Sequence, residues 1–117
     1  MKNLDGIKII PASKKDQAKF TRLFGATVRV SRYIYRLCWV KSINDGCTVG
    51  LCDFTGKTIY IAIDAEDIQQ TLVHEIMHAE IDAAGLRQAP GFSRDFEEIM
   101  CELASHAVGT NYVLRRR

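Results

Sequence analysis

Asp67-Ile68-Gln69-Gln70-Thr71-Leu72-Val73-His74-Glu75-Ile76-Met77-His78-Ala79-Glu80-Ile81-Asp82-Ala83-Ala84-Gly85 is the stretch on which the fold turns. Thr71-Leu72-Val73 and Ile76-Met77 give residues 67–84 the apolar side of an amphipathic helix. Asp64 or Asp67 can cap its start, and Gly85 supplies the C′ glycine that ends such a helix. Residues four apart share a helix face, so the imidazoles of His74 and His78 can close on one metal ion. The bland reading is a core helix with two satisfied histidines. Against it, His74, Glu75 and His78 crowd three ionisable groups into one turn of an otherwise apolar stretch, and burying them without a partner is costly.

A catalytic metal site of this kind usually takes three protein ligands and leaves a further position to water. The next helical segment, residues 95–104, carries Glu98 and Glu102 four apart and therefore on one side. Glu98 is the expected third ligand. Glu102, one turn on, can accept the second N–H of a ligating histidine and so fix its orientation. The plain alternative for Glu97, Glu98 and Glu102 is a solvated helix face. His106 is a rival third ligand, and it can equally cap the site or sit at its rim.

His74-Glu75-Ile76-Met77-His78 matches the H-E-x-x-H pattern of zinc-dependent peptidases, in which two histidines hold Zn²⁺ and the glutamate acts as general base. With Glu98-x-x-x-Glu102 on a second helix, the chain resembles the gluzincins. Residues 48–108 look like the short metallopeptidases common in phages and prophages. The likeness to ImmA/IrrE-type peptidases is looser, because Cys101-Glu102 stands where their ligand glutamate is followed by Ala-Asn. SprT-like proteases carry a third histidine in a Gly-rich connection, and Ala89-Pro90-Gly91-Phe92-Ser93-Arg94-Asp95-Phe96 has none. The resemblance implies hydrolysis of a protein or peptide substrate, with Zn²⁺ on His74, His78 and Glu98 and proton transfer by Glu75. His106, Tyr112 and Tyr60 are candidate donors to the oxyanion. A metal-binding regulatory module, or a phage structural or interaction protein on a degenerate peptidase fold, is the alternative; an intact Glu75 argues against both.

Composition fits one small domain over residues 1–117, with 47 % apolar and 26 % charged residues. A net charge of +2 gives no reason to expect a nucleic-acid partner, and Arg115-Arg116-Arg117 reads as a solvated tail. No apolar run approaches the roughly 20 residues that cross a bilayer. Met1-Lys2-Asn3-Leu4-Asp5-Gly6 lacks the apolar core of a signal peptide, so a cytoplasmic location is expected. Cys38, Cys47, Cys52 and Cys101 contain no C-x-x-C pair and are expected as free thiols, with Cys101 in core packing. Oligomeric state is not legible.

The rest reads as scaffold. Residues 7–10 form a strand ended by Pro11, and Ser13 caps a helix over 14–24 that stops at Gly25. Val28, Val30, Tyr33, Tyr35, Leu37 and Trp39 alternate with polar residues, but the phase slips near Arg32, which predicts a bulged strand or two strands. Asn44-Asp45-Gly46 is a turn, and residues 48–54 and 57–63 flank Thr55-Gly56 as a hairpin. The expected fold is α+β: a minimal zincin-like domain whose small antiparallel or mixed sheet packs on the metal-binding helix and a second, C-terminal helix. Residues 57–63 are either the sheet edge offered to substrate or an interior strand with no such role, since order in sequence does not decide it.

Overall fold

The computed structural model describes residues 2–4 and 6–111; Tyr112 and the Arg115–Arg117 run lie outside them. Strands β1 (Lys2–Leu4) and β2 (Ile7–Pro11) precede helix α1 (Lys14–Phe24), and β3 (Thr27–Val30) and β4 (Tyr33–Ile43) follow it. Next come β5 (Gly50–Asp53), β6 (Thr58–Ala62), α2 (Ile68–Ala83) and α3 (Arg94–Asn111). The fold is α+β, with three helices on a curled mixed sheet ordered β1-β2-β4-β6-β5, and β3 paired to β4 beside that path.

Local chemistry explains the boundaries. Ser13 Oγ accepts the Asp16 N–H at 3.1 Å, and the Gly25 N–H closes the other end of α1 on the Thr21 carbonyl at 2.8 Å. The phase slip near Arg32 resolves into two strands: Val30 pairs with Tyr33 across a two-residue turn in which Ser31 takes a φ of 56°. Asp67, rather than Asp64, caps α2, its Oδ1 accepting the Gln70 N–H at 3.0 Å. Gly85 follows that helix with φ 72°, the left-handed conformation that glycine adopts without a Cβ penalty.

Tyr35, Leu37, Trp39, Ile59 and Ile61 on one face of the sheet form the main core with Leu72 and Ala79 of α2. Phe20 and Phe24 of α1 lie 5.6 and 5.5 Å from the Trp39 ring, closing that core at one end. Side chains alternate along a strand, so Val40 and Tyr60 face the other way and cluster with Ile9 and Ile43.

Residues 57–63 are interior. β6 pairs with β4 in parallel on one side and with β5 in antiparallel on the other, and all five of its residues are buried. A strand covered on both faces has no polar alternation, which is how Ile59-Tyr60-Ile61-Ala62 reads. The free edge beside α2 is β5. Among the described residues no helix is long and apolar enough to cross a membrane.

Candidate metal centre

His74 and His78 stand one turn apart on α2, with ring centroids separated by 5.0 Å. Helix α3 packs against this face and brings three carboxylates to the two rings. His74 Nε2 lies 3.3 Å from Glu98 Oε2, and His78 Nε2 lies 2.9 Å from Glu98 Oε1. Behind them, His74 Nδ1 is 2.8 Å from Glu102 Oε1, and His78 Nδ1 is 2.5 Å from Glu97 Oε2. An ionised carboxylate only accepts, so each Nδ1 donates and each Nε2 remains the atom turned towards Glu98.

These spacings suit a metal ion. Donors about 2.0–2.2 Å from one tetrahedral ion stand roughly 3.3–3.6 Å apart; the His74 Nε2–Glu98 separation of 3.3 Å matches that spacing, and the His78 one, at 2.9 Å, is shorter. Charge points the same way: Glu75, Glu97, Glu98 and Glu102 surround two imidazoles, and among the described residues Arg87, 3.3 Å from Glu97 Oε1, is the cation paired with one of them. A dication would offset the surplus. A second donor set shares the histidines, because Cys101 Sγ and one nitrogen of each ring lie within 4.8 Å of one another. Cys101 is fully buried, and burial first, then the carboxylates around it, pushes its thiol up to about 12. His74, His78 and Cys101 therefore form a group that could hold a metal ion, with Glu98 beside the two rings.

Cys101 packs in the core, as expected, and also approaches the site, the place of a fourth ligand in a structural centre. All four cysteines are free. Glu98 and Glu102 stand at the positions expected of them. His106 lies at the rim, 3.5 Å from Glu102 Oε2 and exposed. Tyr60 sits in the cluster on the far face of the sheet, away from the two histidines, which removes it as an oxyanion donor. Glu97 was missed, being read as part of a solvated face; it is 5 % exposed. Its signal was present in the spacing, for Glu97, Met100, Cys101 and Ala104 recur at three and four along the buried side of α3.

A cleft of about 340 Å³ opens on this cluster, walled by Gly50 of the β5 edge, Thr71 and Glu75 of α2, and Glu98 and Ser105 of α3. Glu75 is buried, and its carboxyl is pushed up to about 7, chiefly by that burial, with His78 opposing and Glu98 adding to the rise. Gly50 makes room for it: a Cβ there would stand 2.8 Å from Glu75 Oε2 and 3.0 Å from Thr71 Cγ2. Gly50→Ala must therefore displace the carboxylate or the edge strand. The expected cost is about 1–3 kcal/mol of stability, read from denaturant midpoints, and an unchanged midpoint would show that the contact is slack.

No family model, curated protein or solved structure matches the chain.

Proposed function

We propose that the chain is a zinc-dependent peptidase, with His74, His78 and Glu98 as ligands and Glu75 as general base. The observation that carries this reading is the convergence of both Nε2 atoms on the two oxygens of Glu98, each ring being held from behind through Nδ1. Zinc bound there would polarise the scissile carbonyl and lower the pKa of water towards neutrality.

The remaining work falls to the chain's own groups. Glu102 and Glu97 hold the rings with Nε2 outward. Glu75, with a carboxyl that titrates near neutrality, takes the proton from the attacking water and passes it to the leaving amine. Its burial beside Gly50 restricts bulk water around that transfer. The unpaired side of β5 offers backbone donors and acceptors to an extended peptide next to the cleft, which makes protein or peptide the fitting substrate class.

One observation favours a second reading. With Cys101 as a fourth ligand beside His74, His78 and Glu98 the site would be closed, as structural zinc sites are, and the protein would be a catalytically silent metal-binding module. The two readings separate on a peptide library incubated with the zinc-loaded protein. The peptidase should generate new termini, and a chelator should stop them. A zinc-loaded protein that cleaves no member of a broad library would favour the silent module.

A further inference from the structure

We propose that Glu97 is a positioning residue for His78 and that Arg87 is the group that holds it in place; the proposal rests on the metal-site reading above. Glu97 is a nearly fully buried carboxylate, a state that is costly unless both oxygens are satisfied. Both are. Oε2 accepts from His78 Nδ1 at 2.5 Å, and Oε1 lies 3.3 Å from Arg87 Nε.

Arg87 is itself fixed from two further directions. It belongs to the short 3₁₀ turn Leu86–Gln88 that follows α2, and its guanidinium lies 4.8 Å from the centre of the Phe54 ring, in the turn between β5 and β6. Its NH1 also stands 3.7 Å from Asp82 Oδ1 on α2. The hairpin tip, the end of the metal helix and the start of α3 are thus tied together at the atom behind one ligand.

The other histidine has no such support. Glu102, which faces His74 Nδ1, is 56 % exposed, and among the described residues its further side-chain partner is His106 at 3.5 Å. Of the two rings, His78 is consequently the one whose orientation is built in before any ion arrives. An acidic residue directly before the proposed ligand, clamped by an arginine from the preceding turn, makes one ligand arm rigid and leaves the other adjustable.

The test uses the full chain, wild type and Glu97→Gln, with and without zinc. The Nδ1–H proton of His78 is followed by ¹H–¹⁵N correlation, and zinc affinity by competition with a chromophoric chelator. In the wild type the Nδ1–H signal should lie downfield and exchange slowly in both states. Glu97→Gln, whose amide must turn a donor towards either His78 or Arg87, should move that signal upfield, speed its exchange and weaken zinc about 10- to 100-fold. Arg87→Met should act in the same direction but less strongly, which covers a Glu97 variant that fails to fold. An unchanged Nδ1–H signal with zinc affinity within about twofold of wild type would overturn the proposal while leaving the metal site standing, given the loss normally seen at such positions. A wild type that takes up no zinc, yet shows the Glu97-dependent signal, would instead sink the peptidase reading and keep the clamp.

Discussion

Glu75→Gln is expected to leave zinc content at the wild-type level while lowering peptide cleavage by at least about 10²-fold, the usual loss when a general base is removed. Glu75 follows His74 by one residue, about 100° round the helix, so it faces the cleft and stays out of the ligand set. Glutamine keeps the size and polarity and removes the basicity. The same substitution carries a second signature in metal-free protein. Burial raises the folded-state carboxyl from its ordinary 4.5 to about 7, so the folded state binds the proton more tightly than the unfolded one. Stability from this group is therefore fully present below about pH 4.5 and is lost as the pH rises through about 7. Metal-free Glu75→Gln should then be more stable than wild type at pH 8 by on the order of 2–3 kcal/mol, a difference absent at pH 4. Wild-type cleavage by Glu75→Gln would refute the mechanism, and equal melting at both pH values would show that the carboxyl is better solvated than its burial indicates.

The second large effect concerns the ion itself. His74→Ala and His78→Ala should each abolish tight zinc uptake, because each removes one of the three proposed ligands and the buried Cys101 thiol, with its pKa pushed up, is a poor substitute. Glu98→Ala should do the same. Glu102→Ala removes only the acceptor behind His74, so it should retain zinc with affinity lower by about 10- to 100-fold. Elemental analysis and chelator competition give the order. Zinc lost by Glu102→Ala and kept by Glu98→Ala would place the third ligand one turn further along α3.

What was legible in the chain was what local chemistry decides. Ser13 and Gly25 delimit α1 because a side-chain acceptor and a residue without a Cβ act on their immediate neighbours, and Asp67 and Gly85 do the same for α2. His74, His78, Glu98 and Glu102 could be read because helical spacing alone places each pair on one face. The misjudged features depend on contacts between distant segments. Whether residues 57–63 form an edge is settled by the parallel pairing with β4, which no local signal announces. Arg87 carries no local signal of a role, and only the packing of α3 on α2 gives it a buried carboxylate to hold. Glu97 lay between these cases, since its place on the apolar side of α3 was readable but its partner was not. Cys101 shows the limit of angular reasoning: its offset from Glu98 and Glu102 directs it into the core, and the core at that level lies against His74 and His78.

In the proposed centre oxygen and nitrogen, not sulfur, complete a site left open to substrate. X-ray absorption at the zinc edge of the loaded protein tests it most directly. The predicted spectrum has a single nitrogen and oxygen shell at about 2.0–2.2 Å with imidazole scattering and no sulfur. A sulfur at about 2.3 Å, lost in Cys101→Ser, would contradict this and identify a closed centre in which Cys101 joins His74, His78 and Glu98.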